Sequence, residues 1–211
     1  KELLICDQDL YPPGSIRLAG VKIISEDQIK VAAYAGSLAA AFDCGWTPLL
    51  TGYMQNARAH PVRLEHFHVH EEGGISASIK GETAILGTAV LLRKMSVRLP
   101  KSLERKDALY LSVDGELVAI FALRYEPQDG VGWALHAMRR NGLTPLFTTK
   151  DPNITSKSLK AAFGNDGGGL FLDLNERLNL SQLRQESAVR PNALLYREGL
   201  APYMEAVAGS K

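Results

Sequence analysis

Two cysteines, Cys6 and Cys44, are all that the 211 residues contain. That excludes a disulfide framework and a CxxC metal knuckle, and it points to a reducing compartment. No apolar stretch approaches the roughly 18 residues that a membrane span requires, so this chain is not expected to cross a bilayer itself. Charge of one sign is missing too: 24 Lys+Arg stand against 23 Asp+Glu, and no basic block interrupts the sequence. Phosphate-backbone binding then has no electrostatic footprint, and nucleic acid is not an expected partner. There is no signal-peptide pattern and no initiator methionine, since Lys1 and Glu2 lead straight into Leu3-Leu4-Ile5. Such a start, in mid-strand, reads as a piece of something longer. The 45% apolar content nevertheless excludes disorder, and no collagen or heptad period is found.

What is there alternates between two patterns. Leu3 to Cys6 is a short apolar run that breaks at Asp7-Gln8-Asp9, with Pro12-Pro13-Gly14 as turn chemistry beyond it. It reads as a buried strand whose C-terminal end delivers acidic residues to a loop, the edge at which open α/β sheets carry their chemistry. Val21 to Ile24 reads as a strand, and Ser25 as the cap of a helix running to Phe42. Gly45-Trp46-Thr47-Pro48 interrupts it before a second helix at Leu49 to Ala59. Strands follow at Arg63 to His70, Ile75 to Lys80 and Thr83 to Leu86, then a short helix at Ala89 to Met95. Asp114-Gly115, between Tyr110 and Leu123, is a hairpin signal. Beyond it the pattern reverts to helix (Val131 to Asn141), strand (Leu143 to Thr148), helix (Ser156 to Phe163) and strand (Leu170 to Leu172). Further helices are expected at Leu174 to Leu183 and Leu194 to Val207, with Pro191 and Pro202 as breaks. An alternating β/α part thus surrounds an antiparallel insert.

Three groups of residues carry possible chemistry. Asp7 and Asp9, two apart after a buried strand, suit phosphoryl transfer, one attacking phosphorus or holding Mg²⁺ and the other handling protons; two solvated loop carboxylates would look the same. His66, His68 and His70 alternate along a strand and share a face that suits Zn²⁺ or Cu²⁺, although parallel side chains seldom converge on a metal. Asn165-Asp166-Gly167-Gly168-Gly169 lacks the Lys-Ser/Thr of a phosphate loop and reads as a turn.

The order of segments resembles the cytoplasmic catalytic region of P-type ATPases, closest to the heavy-metal class, within the haloacid-dehalogenase-like superfamily. The likeness is carried by Val113-Asp114-Gly115-Glu116-Leu117-Val118 through Leu123, by Ala134 to Gly142, and by Thr149-Lys150-Asp151. The resemblance implies an α/β fold, a Rossmannoid phosphorylation-like domain (1–16 plus 125–211) with an inserted α+β nucleotide-binding-like domain (17–124) on an antiparallel sheet. It implies Mg²⁺ and ATP as cofactors. Asp7, Asp9, Thr149 and Asp151 would be catalytic, Asp7 and Asp151 would face Mg²⁺, and Gly73, Gly74 and Gly87 would face nucleotide. Lys150, Lys157 or Lys160 would neutralise charge. Flanking transmembrane helices of the same protein would be the partners, on the cytoplasmic side of the membrane.

The motifs depart from the family where chemistry resides. Counting back from Gly14 puts Cys6 at the phosphorylated position of DKTGTLT-x-G, whereas a one-residue gap puts Asp7 there. The Lys-Thr-Gly-Thr signature is absent in both registers. TGD becomes Thr149-Lys150-Asp151, D-x-x-R becomes Tyr125-Glu126-Pro127-Gln128, and the insert's His-Pro becomes Thr47-Pro48. No GDGxND follows Asp151. Loss of those Mg²⁺ carboxylates removes charge neutralisation on which in-line phosphoryl transfer depends. The expectation is a degenerate cytoplasmic region that senses or docks. The alternatives are an active Mg²⁺-dependent enzyme phosphorylated on Asp7, as transporter or phosphatase, and a metal-binding module using His66, His68 and His70.

Overall fold

The computed structural model describes residues 2–179; the helix expected at Leu194 to Val207, and the last part of the one expected at Leu174 to Leu183, lie outside the described residues. Along the chain run β1 (Glu2–Ile5), α1 (Asp7–Leu10), β2 (Ile16–Ile23), α2 (Gln28–Phe42), α3 (Thr47–Asn56), β3 (Glu65–His70), β4 (Gly74–Ile79) and β5 (Glu82–Gly87). After these come α4 (Ala89–Lys94), β6 (Ala108–Val113), β7 (Glu116–Tyr125), α5 (Asp129–Arg140), β8 (Thr144–Phe147), α6 (Ser156–Phe163) and β9 (Leu170–Phe171). Residues 174–179 are helical as well.

The chain divides into two compact units. Among the described residues, unit 1 holds 2–15, 126–150 and 154–179; unit 2 holds Ile16–Tyr125 and Asp151–Asn153. Unit 1 carries a parallel sheet in the order β1-β8-β9, with Ile5 opposite Phe147 and Phe147 opposite Phe171. Parallel strands need helical crossovers that cover the sheet. α5 supplies one, burying Val131, Ala134, Leu135 and Met138 at helical spacing. Leu159 is the buried residue of α6, whose start is fixed by Thr155 and Ser158 in a reciprocal cap.

Unit 2 is built on a six-stranded antiparallel sheet ordered β2-β7-β6-β5-β4-β3. Its strands alternate between two cores. Ala84, Leu86, Leu109, Leu111 and Phe121 join α2 and α3 on one face, while Ile85, Tyr110 and Ile120 join Leu91 and Leu92 of α4 on the other. That double burial explains why every residue of β6 is buried. The Asp114-Gly115 turn has φ of 48° and 83°, the left-handed pair that joins strands of right-handed twist.

Two local expectations are corrected. α2 begins at Gln28, not after Ser25, because Asp27 rather than Ser25 caps it, accepting Lys30 N at 2.8 Å. The acidic residues after β1 form the short helix α1 rather than an open loop, since Asp9 reaches back to the Cys6 amide.

Candidate functional site

In unit 1, β1 and β8 end side by side. Thr148 N donates to Ile5 O at 2.8 Å, continuing the ladder one residue beyond β8. The next residues on each side are those singled out in the sequence. Asp7 is buried, and its Oδ2 accepts the Lys150 amide at 3.0 Å. Asp7, not Cys6, therefore turns its side chain to the end of β8. Thr149 beside it is fully buried, and its Oγ1 has no hydrogen-bond partner among the described residues. Its carbonyl accepts Arg177 Nη1 at 2.7 Å. Asp9 Oδ2 accepts Cys6 N at 2.8 Å and closes the first turn of α1. Lys157 and Lys160 are exposed on α6. Asp166 forms ion pairs with His136 and Arg139 of α5, which gives the Asn165–Gly169 turn a structural task.

Asp151 belongs to unit 2. It is 0% exposed, and both of its oxygens are engaged. Tyr125 Oη donates to Oδ2 at 2.6 Å and the Asn153 amide donates to Oδ1 at 2.9 Å. Asn153 Nδ2 in turn donates to Tyr125 Oη at 3.2 Å. Burial, and after it the Asp151 charge, raises the Tyr125 phenol well above its ordinary value, so it remains a donor.

Gly73, Gly74 and Gly87 meet at one end of β4 and β5, where Gly74 pairs with Gly87, and all three are buried. Gly73 has φ +92°, and a Cβ there would run into Pro152; a Cβ on Gly87 would fall 2.5 Å from Gly73 O. Glycine is required at these positions by the chain's own packing. Around them, Thr88 N donates to Gly73 O at 2.9 Å and Thr88 Oγ1 to Glu72 O at 2.7 Å, while Glu72 pairs with Lys94.

The three histidines do not form a metal site. His66 sits at φ 51°, where the β3–β4 register shifts between Glu65 and His68, so the bulge breaks the alternation. His68 and His70 do meet, with ring centroids 4.7 Å apart, but His70 Nε2 lies 2.7 Å from Ser76 Oγ. Burial first, and then His68, lowers the His70 pKa. Among the described residues no group of three His, Cys, Asp or Glu could hold a metal ion.

Sequence reasoning missed three residues. Tyr125 enters the sequence reading only as a departure from D-x-x-R, Pro152 carries no motif signal, and their partners are distant in sequence. Arg177 follows Asp173, which caps its helix through Glu176 N at 2.9 Å, but nothing local points from Arg177 to Thr149.

A parallel three-stranded sheet with an inserted antiparallel six-stranded one is the architecture of the catalytic region, phosphorylation plus nucleotide-binding domain, of heavy-metal P-type ATPases, and the chain resembles that region. The catalytic domain of the CPx-ATPase CopB-B superposes with a TM-score of 0.53 at 14% identity, covering 87% of this chain and 67% of that one. In sequence, the silver exporting P-type ATPase of Salmonella typhimurium is 21% identical over 111 residues, 49% of this chain and 14% of the exporter. This stretch is therefore a small part of that relative. No protein-family model matches the chain.

Proposed function

We propose that this chain is the cytoplasmic region of a P-type ATPase-like membrane protein that has kept the fold without ATP-driven transport and acts as a sensing or docking module. Its partners are the flanking transmembrane helices of the same protein. The observation that carries the reading is the Asp151 carboxylate: 0% exposed, and accepting from Tyr125 Oη and the Asn153 amide. A carboxylate serving Mg²⁺ during phosphoryl transfer needs lone pairs aimed at the metal and an electrostatic setting that changes with the reaction. Asp151 instead lies inside the protein, where a phenol and a backbone amide donate to it. Lys150, at the middle position of the Thr149–Asp151 triplet, adds a side chain where the related motif has glycine. The residues present do not fit Mg²⁺ with ATP.

One observation favours the alternative of an active enzyme. Asp7 and the Thr149 hydroxyl, which has no hydrogen-bond partner among the described residues, lie at adjacent strand ends of unit 1, as a phosphorylatable carboxylate and a phosphate ligand would. Calorimetry with ATP and Mg²⁺, with beryllium fluoride added as a phosphoryl mimic, separates the two. No heat at millimolar nucleotide is expected. Mg²⁺-dependent binding that disappears in Asp7→Asn would put the enzyme first.

A further inference from the structure

The near-neutral total charge conceals one local excess, in unit 2. Between Ala89 and Asp107 stand six cations, Arg93, Lys94, Arg98, Lys101, Arg105 and Lys106, against Glu104 and Asp107, a net of +4 in a chain of +1. Apolar residues interleave with them, so no continuous basic block forms in the sequence. Those apolar residues also do the positioning. Leu91, Leu92 and Val97 are buried against the sheet face that carries Ile85, Tyr110 and Ile120, and Leu99 and Leu103 pack beside them. Tyr110 Oη accepts the Arg105 amide at 2.8 Å and fixes the end of the segment. With the apolar side turned to the sheet, all six cations are exposed. The layer on the other face of the sheet, residues 28–56, carries only Lys30 and Asp43, so unit 2 is polarised across its sheet. Arg93 pairs with Glu104, Lys94 with Glu72, and Lys106 with Asp107 at 3.7 Å. Six cations against these three carboxylates leave the face at +3, and exposed pairs of this kind are weak enough to exchange for another anion.

We propose that the α4 face of unit 2, residues 89–107, docks on an anionic membrane surface. The inference rests on the part of the proposed function that sets this chain beside the bilayer of its own transmembrane helices. Such a tether holds the face at high effective concentration over lipid, so a modest attraction suffices. Anionic headgroups present a plane of negative charge, and each Lys or Arg brought to it strengthens binding by on the order of fivefold. Val90, 58% exposed, and Met95, 37% exposed, stand among the cations and supply apolar side chains for the headgroup boundary. A single-stranded nucleic acid asks for something else, since residues 89–107 contain no Phe, Tyr or Trp on which a base could stack.

The test floats the 211-residue chain with phosphatidylcholine vesicles, made with and without phosphatidylserine. The wild type should bind the anionic vesicles about a hundredfold more tightly than the neutral ones, three net charges at on the order of fivefold each, and about 0.5 M salt should remove the difference. Arg98→Glu together with Lys101→Glu reverses two exposed cations of the face and should lower binding to the neutral-vesicle level. Lys22→Glu together with Arg58→Glu makes the same change of charge at exposed positions of unit 2 outside the face, and should leave binding as in the wild type. Equal losses in the two double variants would reveal an effect of total charge alone and overturn the docking face. Wild-type binding indifferent to phosphatidylserine or to salt would overturn it as well, and that result needs no variant. Tighter binding to polyglutamate or to a single-stranded oligonucleotide at the same salt would overturn it in favour of an acidic polypeptide or a nucleic acid. All of these results leave the loss of ATP turnover standing; Asp7-dependent ATP hydrolysis by the wild type is the separate result that would overturn the proposed function.

Discussion

A carboxylate can be buried only where its partners repay the lost water, and Tyr125 and Asn153 are among those of Asp151. Removing it leaves Tyr125 Oη without the acceptor it now has, in a site where the phenol is held protonated by burial. Asp151→Ala is therefore expected to destabilise the protein by about 1–3 kcal/mol, the usual penalty for orphaning a buried polar group. Asp151→Asn should recover most of this, since its amide oxygen still accepts from Tyr125. Urea unfolding of the three proteins is the check. An Asp151→Ala variant as stable as wild type would mean that the Tyr125 contact is not made in solution. At the same scale, Thr149 differs from Asp151. The Thr149 hydroxyl is buried with no partner among the described residues, a cost that folding bears and a small acceptor or donor would relieve.

Among elements, α2 is held to the sheet by one acidic side chain. Glu82, first residue of β5, accepts Lys30 Nζ on Oε1 and Tyr34 Oη on Oε2, each at 2.5 Å, and the Lys30 ammonium lies 5.4 Å from the Tyr34 ring centroid. The Lys30 and Tyr34 hydrogen bonds lower the Glu82 pKa below 4.5. A folded value below the unfolded one means stability that is present above the ordinary carboxylate range and lost as pH falls through the folded value. Glu82→Gln should therefore flatten the acid limb of a stability-against-pH curve. Tyr34 has the opposite sign. Burial first, and then Glu82, raises its phenol above 10.0. Its contribution is complete below that pH and is lost as pH rises beyond it, so Tyr34→Phe should soften the alkaline loss. Thermal melts from acid to alkaline pH test both limbs, and unchanged limbs in the variants would show that this cluster does not set them. Glu82 is part-exposed, so the acid effect is expected to be small and to shrink further in high salt.

For the whole molecule, the two units have different demands. Unit 2 owns a complete six-stranded sheet with helices on both faces, and all but three of its residues run continuously from Ile16 to Tyr125. A fragment of 16–125 should accordingly fold alone, with β-rich circular dichroism and a cooperative melt, but less stably because Tyr125 lacks Asp151. A non-cooperative melt of that fragment would show that the segment 151–153 is required for the unit to close. Unit 1 cannot be cut this way, because β1 and β8 pair across the whole length of unit 2. Parallel strands of this kind are apolar on both faces and are covered by helices such as α5.

Local patterning alone determined the division into an alternating β/α part and an antiparallel insert. The Asp114-Gly115 hairpin, the apolar spacing of α5 and the run before Asp7 are all written within a few residues, where period and turn chemistry act. The same is true of the motif losses, since Lys150 and Tyr125 can be read directly against a known pattern. Tertiary structure decided the rest. Asp27 displaced Ser25 as the cap of α2 because it accepts Lys30 N, and the bulge at His66 broke an alternation that the sequence displays intact. The Lys150 amide donates to Asp7, a contact that exists only once β1 and β8 have paired. Tyr125 with Asp151, Pro152 on Gly73 and Arg177 with Thr149 follow the same rule. Each joins residues with no shared period or motif. Burial and directional hydrogen bonding give them meaning only after the chain has brought them together.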